Sequence, residues 1–362
     1  MKYQHVLSMI RDSPWCILAA KLDEIAAVVA ARSFGTEEEI SRRLEDWRAR
    51  SPEDKAPRRE PVTFGSVGVV PIMGTMVRRA NLFTEYSGGT SMQMAAQTVA
   101  ALAADPKIGG ILLEIDSPGG THDGTPELAA EVAKAAALKP VFASANGMSA
   151  SAAYWVGSQA TELAVAPSGT VGSIGTLILH MDRTEQLAKD GVKATVIRSS
   201  ERKAEGNSLE PLTEETRARL QAEVDEIGQE FEAAVAAGRG VTPAHVRETF
   251  GRGGMFRAEE AKLRGMADRV EPVEETMARL LRRVSREGGG STARAEIKTV
   301  RDFEAALRDG TPFSHSQAKA IASLGFKALP PRDEAQTETD GGLREAVSAF
   351  VSDIKSQSRG GK

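Results

Sequence analysis

A glycine turn followed by small residues and two serines runs from Gly147 to Trp155 and contains Ser149 and Ser151. A strand-to-helix turn of this kind presents a serine hydroxyl on a backbone that nothing bulky crowds, which suits a nucleophile. The spacing Gly147-x-Ser149-x-Ser151 departs from the nucleophile elbow G-x-S-x-G at its last position. Taken alone, it is more typical of close packing than of catalysis.

A second glycine turn, at residues 116–120, follows the apolar run 111–115. Consecutive N–H groups at Gly119 and Gly120 could hold an oxyanion, since a glycine backbone lets a carbonyl approach closely. Two strand-to-turn units can converge, one with the nucleophile and one with these donors. The pair therefore indicates a serine hydrolase.

Several side chains compete as the base. His180 follows Ser151 by 29 residues, and Asp182 or Asp225 could orient it in a Ser–His–Asp triad. His122, beside the glycine turn, is a further candidate. Lys203 lies in a polar run whose composition is typical of a solvated loop. The residues alone leave this choice open.

Residues 62–285 alternate short β-type runs with alanine-rich helical runs, which predicts an α/β domain with a largely parallel sheet. The predicted strands are 67–72, 110–116, 139–144, 163–166, 172–179 and 194–198. The predicted helices are 91–104, 125–138, 150–160, 182–190 and 213–238. Residues 1–50 are predicted to form two helices, and the proline-rich residues 51–61 a linker.

The composition excludes several classes. A net charge of −4 over 362 residues argues against nucleic-acid binding. Cys16 is the single cysteine and the 5 histidines are scattered, so neither a disulfide framework nor a metal site is predicted. No apolar run reaches the ~20 residues of a membrane span. We expect a cytoplasmic protein with no cofactor and no membrane contact.

Four ordered motifs resemble the signal peptide peptidase A family of serine proteases, in particular its phage branch of minor capsid protein C or head maturation proteases. They are the glycine turn 116–120, the serine segment 147–154, the strand 170–175 and the lysine segment 191–203. Residues 255–268 resemble the late helix of the family.

The resemblance implies a fold related to the Clp protease and crotonase, with repeated ββα units. It implies a Ser–Lys dyad of Ser151 and Lys203, in which the amine must be neutral to accept the serine proton. The oxyanion would be held by N–H groups of Gly119 or Gly120 and of Ala152. Family members form rings, in some of which the lysine reaches the serine of a neighbouring subunit.

The phage branch implies a serine endopeptidase that acts on capsid, portal or scaffold proteins inside the assembling procapsid of the host cell. On this basis residues 1–61 form a helical arm and linker, 62–285 the protease domain, and 286–362 a glycine-rich linker with a scaffold-like, mostly disordered or short-helical tail. Three alternatives stay open: a Clp-type triad enzyme that uses His180, an inactive assembly scaffold, and a crotonase-type acyl-CoA enzyme, in which Lys203 and the serine segment would have no role. Ala152, Ala153 and Arg202 depart from the usual family residues.

Overall fold

A computed structural model describes residues 14–22, 25, 62–79 and 89–287, and the tail 286–362 lies almost wholly outside it. The strands are β1 Trp15–Ile17, β2 Val62–Phe64, β3 Val67–Met73, β4 Met76–Val77, β5 Thr90–Ser91, β6 Gly110–Ser117, β7 Gly119–Thr121, β8 Val141–Ala150, β9 Glu162–Val165, β10 Thr170–Gly172, β11 Met255–Arg257 and β12 Arg269–Val270. The helices are α1 Met92–Ala104, α2 Thr125–Leu138, α3 Ala152–Gly157, α4 Thr184–Lys189, α5 Glu214–Arg239, α6 Pro243–Thr249, α7 Ala258–Leu263 and α8 Val273–Glu287, with a 3₁₀ turn at Glu201–Ala204.

The main sheet has the order β11-β10-β8-β6-β3-β2, with β9 beside β8 and β12 beside β9. Its central pairs, β3 with β6 and β6 with β8, are parallel. Only the outer pairs β2–β3 and β10–β11 are antiparallel. The predicted α/β class with a largely parallel sheet is thus confirmed.

Both faces of the central strands are buried, as expected of a parallel sheet covered by helices. Ile111, Leu113 and Ile115 of β6 face the core shared with α1 and α2. Leu112, between them, faces the opposite core, where α8 contributes Leu280. The continuous apolar run of β6 therefore reflects burial on two sides.

A smaller sheet lies over the carboxyl ends of these strands, in the order β1-β7-β4-β5. β7 contains the two glycines of the glycine turn, Gly119 and Gly120. It pairs with β4 on one edge and with β1 on the other. β1 belongs to the arm for which only helices and a linker were predicted. Helical structure begins after it, at residues 19–22.

Two of the predicted strands are wrong. Of the run 172–179 only Gly172 belongs to a strand, the short β10, and Leu177 forms a single bridge with Trp15. The run 194–198 forms no strand, and Ile197 is 95% exposed. Apolar residues predicted a buried strand here, but within the described chain no neighbouring strand pairs with 194–198. The helix predictions at 91–104, 125–138 and 213–238 are confirmed to within one residue at each end.

Asp268 makes the stability of the fold depend on pH. Arg239 donates two hydrogen bonds to its carboxylate, of 2.7 and 2.9 Å, and the N–H of Leu163 donates a third of 2.7 Å. Burial alone would raise the pKa of Asp268, but these bonds outweigh burial and lower it below the ordinary 3.8. The charged form is therefore the one that stabilises the folded chain.

We expect the free energy of unfolding to fall as the pH drops below about 4, where Asp268 protonates first in the unfolded chain and then in the folded chain. Asp268→Asn should lower stability at neutral pH by about 1–3 kcal/mol, because the nearly buried Arg239 loses its partner. It should also flatten the acid dependence. Urea unfolding of both proteins at neutral and acid pH measures this, and equal slopes against pH would contradict it.

Candidate active site

Ser151 lies at the junction of β8 and α3 with φ 53° and ψ −121°, a conformation that a non-glycine residue rarely adopts. Its N–H donates to Gly172 O at 2.8 Å, and its carbonyl accepts from Trp155 N at 2.9 Å. These two bonds hold the strained backbone in place. Strain of this kind concentrates at functional sites, and the nucleophile elbow is one of them.

The Ser151 hydroxyl is buried and its oxygen has no hydrogen-bond partner within the described residues. Ala152 and Ala153, which follow it, are fully buried as well. The buried hydroxyls of Ser144 and Ser149 also lack a partner, and the strained backbone sets Ser151 apart from both of them. The arrangement is what a nucleophile needs before its base and its substrate are in place.

Gly119 of the glycine turn packs directly against Ser151. Its φ of 97° lies in the left-handed region, and a Cβ at this position would come within 3.0 Å of Ser151 Cβ and of Ala150 O. The side chain of Ser117 secures the turn: its hydroxyl donates to Gly74 O at 2.6 Å and accepts from Gly119 N at 3.1 Å. The sequence analysis missed this role of Ser117. The only signal for it was that Ser117 precedes Gly119 by two residues within the turn.

Of the three predicted oxyanion donors, Gly119 N is engaged by Ser117 in this structure. Gly120 lies in β7 opposite Cys16, and a Cβ there would collide with the Met76 backbone, so only glycine fits. Ala152 opens α3, and N–H groups in the first turn of a helix have no intrahelical acceptor. The strand pairing directs Gly120 N at the carbonyl of Cys16. Gly120 N and Ala152 N are the donors that could hold a carbonyl oxygen beside Ser151.

Lys203 lies in the 3₁₀ turn Glu201–Ala204 with an exposed side chain. The neighbouring Glu205 accepts from Arg219 at 2.6 Å, which fastens this turn to α5. Since Ser151 Oγ has no hydrogen-bond partner, a single chain does not join Lys203 to Ser151.

The histidines do not reach the serine either. His180 Nε2 lies 3.4 Å from Asn207 O. Of its proposed orienters, Asp182 accepts hydrogen bonds from Thr184, which together with the nearby His180 lower the pKa of Asp182, and Asp225 accepts from Gln221. His122 Nε2 lies 3.4 Å from Glu230 Oε2, and its ring centroid is 6.0 Å from that of Trp155. His122 thus joins the glycine turn to α5 and contacts no nucleophile.

The segment 176–207, which contains Lys203, has no buried residue at all. Its apolar side chains lie on the surface, including Val192 at 52% and Ile197 at 95% exposure. Within the described residues no cluster of three or more His, Cys, Asp or Glu could hold a metal ion, and no helix is long and apolar enough to cross a membrane.

Comparison with known proteins gives concordant matches. Residues 133–285 match Peptidase family S49. Capsid assembly protease C of Escherichia phage lambda is 30% identical over 281 residues, which are 74% of this chain and 62% of that protein. Protease 4 of Salmonella typhi is 27% identical over 235 residues, 65% of this chain and 37% of that protein. The chain spans less than two thirds of the length of either relative.

Among solved structures, the 1510-N membrane-bound stomatin-specific protease aligns with a TM-score of 0.40 at 14% identity, over 60% of this chain and 86% of that chain. The family match includes the serine segment and the lysine segment that carried the resemblance, and so confirms it. The part of the chain that matches peptidase family S49 is therefore residues 133–285.

Proposed function

We propose that the protein is a serine endopeptidase whose nucleophile is Ser151. The observation that carries the proposal is the strained, buried and unpartnered Ser151 packed against the glycine turn. A carbonyl placed between Ser151 Oγ and the N–H groups of Gly120 and Ala152 would be attacked and its oxyanion held at once. Both donors lie on ordered backbone, Gly120 in β7 and Ala152 at the start of α3.

Lys203 serves as the base, and a neighbouring copy of the chain supplies it. The exposed apolar side chains of 176–207 support this, since a second copy covering them would remove Val192 and Ile197 from water. The same contact would bury the Lys203 amine, and burial favours its neutral form. Assembly into a closed ring gives every Ser151 one such partner.

The reaction then proceeds in two halves. Neutral Lys203 takes the proton of Ser151 Oγ as the oxygen attacks the peptide carbonyl, and it returns the proton to the leaving amine. The acyl-enzyme so formed is hydrolysed by a water that Lys203 deprotonates. Both tetrahedral states place their negative oxygen on Gly120 N and Ala152 N.

The substrates are capsid or scaffold proteins, cleaved in the assembling procapsid in the host cytoplasm. Support comes from the similarity to Capsid assembly protease C of phage lambda, over 74% of this chain. Residues 286–362 act as a scaffold-like tail behind the protease domain.

The test is the intact mass of head proteins co-expressed with the full chain or with Ser151→Ala. We expect new fragments with the wild-type chain and none with Ser151→Ala, because the substitution removes the attacking oxygen and leaves the small-residue packing intact. Ser149→Ala, two residues away and also buried, is the matched control and should keep the fragments. Identical masses for wild type and Ser151→Ala would favour the inactive scaffold.

A further inference from the structure

β1 fills a slot between two backbone edges. On one side Trp15–Ile17 pairs antiparallel with Gly119–Thr121. On the other side Trp15 exchanges two hydrogen bonds with Leu177, of 2.9 and 3.0 Å. All three residues of β1 are at most 3% exposed. A short extended segment is thus held by main-chain bonds on both edges, which is how peptides are recognised by strand addition.

This segment covers Ser151. A Cβ built on Gly119 would collide with the Cys16 carbonyl oxygen and would lie 3.0 Å from Ser151 Cβ, so these two groups are close neighbours. The Ser151 hydroxyl oxygen is itself buried. Any peptide that is to reach Ser151 by this route must take the place of β1.

The pairing register places the carbonyl of Cys16 at the proposed oxyanion donor. Leu18 N donates to Pro118 O at 3.0 Å, and His122 N donates to Pro14 O at 3.0 Å. Bonded pairs alternate in an antiparallel ladder, so the pair between these two, Cys16 with Gly120, also exchanges hydrogen bonds. The N–H of Gly120 therefore points at a peptide carbonyl next to Ser151.

We propose that Trp15–Ile17 is an internal occupant of the groove between Gly119–Thr121 and Leu177, and that it must leave before an extended peptide substrate can bind there. The proposal rests on the function proposed for Ser151. The occupant has bulky apolar residues on one face of the strand, Trp15 and Ile17, and these side chains are buried. The substrate it stands in for is accordingly an extended segment with large apolar side chains two residues apart.

Cys16 reports whether the groove is filled. It is the single cysteine of the chain, and its Sγ lies 3.4 Å from Thr176 Oγ1. Burial in the docked strand raises the pKa of the thiol to about 12. The thiol of a docked strand is therefore almost inert toward a disulfide reagent, and that of a released strand reacts readily.

The experiment uses the full chain with Ser151→Ala, so that no turnover occurs, with and without Trp15→Pro. Trp15→Pro removes the buried indole and the N–H that bonds Leu177, and it leaves both groove edges intact. The probe is a fluorescent peptide of residues 14–20 with Cys16→Ser. The same peptide with Cys16→Pro lacks the N–H that pairs with Gly120 and is the control.

Release of the occupant should raise the reaction rate of Cys16 and the affinity for the probe together, each by about ten-fold or more, because an emptied site no longer loses affinity to its internal competitor. The control peptide should bind neither protein. Equal probe affinities despite a reactive Cys16 would overturn the proposal, as would a Cys16 that reacts equally in both proteins. Neither the Cys16 reaction nor probe binding needs catalysis, so both test the groove even if the protein is not a protease. The proposed protease activity is tested separately, by the masses of the head proteins.

Discussion

Mixing full chains that carry Ser151→Ala with full chains that carry Lys203→Ala is expected to restore cleavage that neither performs alone. Each substitution removes one half of the dyad and should lower the rate by about 10³-fold or more. In a mixed ring, a site is active where the Lys203→Ala chain supplies the serine and the Ser151→Ala chain supplies the lysine. Random mixing in equal amounts then gives about a quarter of the wild-type activity.

The structural reason is that Lys203 and Ser151 form no hydrogen bond within one chain. Lys203 is exposed on its 3₁₀ turn, and Ser151 Oγ is buried without a partner. Cleavage of a fluorogenic peptide before and after mixing measures the effect, and native mass spectrometry confirms that the chains have mixed. Mixed rings that stay inactive would contradict a dyad formed between subunits.

His180→Ala is the matched control for the base. His180 contacts the loop at Asn207 and does not touch Ser151, so its removal should leave cleavage near the wild-type rate. A loss as large as that of Ser151→Ala would favour the Clp-type triad instead.

Gly119→Ala is expected to lower the cleavage rate by about 10²-fold or more while the chain stays folded. Alanine would have to adopt the φ of 97° that Gly119 has here. Its methyl group would also come too close to Ser151 Cβ, to Ala150 O and to the backbone of the strand in the groove. These contacts should displace the Ser151 hydroxyl relative to the proposed oxyanion donors. Such a displacement lowers the rate strongly, because catalysis depends on the exact placement of the reacting groups.

Gly265→Ala separates crowding from backbone strain. Gly265 has φ 79°, also left-handed, but a Cβ there would meet nothing within 4 Å. It should cost some stability, because alanine is strained at positive φ, and leave the rate per folded molecule unchanged. Measuring the rate against the folded fraction of each variant compares them. A Gly119→Ala protein as active as Gly265→Ala would show that the close approach at the turn has no catalytic role.

The sequence predicted best those elements whose determinants lie within the element itself. The helix at 125–138 matches Thr125–Leu138, because its proline, its alanines and its apolar spacing all lie within the helix. The strand at 110–116 likewise matches β6. The run 194–198 has an apolar strand pattern too, but a strand also needs a neighbour, and among the described residues it has none. An apolar sequence pattern predicts that a segment is buried, but it does not say whether the same chain or another molecule buries it.

The site was only partly within reach of the sequence. The glycine turn and the serine segment could be paired from their motifs, and the structure places Gly119 against Ser151. The left-handed backbone of Ser151 has no sequence signal apart from the small residues around it. β1 could not be found, because Trp15–Ile17 is three residues long and its partners lie more than a hundred positions away. The roles of Lys203 and of the oxyanion donors remain predictions.

The register of β1 has a further consequence. A carbonyl of the chain's own backbone rests beside its own nucleophile, held by the N–H that would stabilise the reaction. If another copy supplies the amine of Lys203, as we propose, an isolated molecule is protected from cutting itself, although the Cys16 carbonyl lies close to Ser151. On that proposal, assembly of several copies would trigger cleavage, and the first bond at risk would be the one between Cys16 and Ile17.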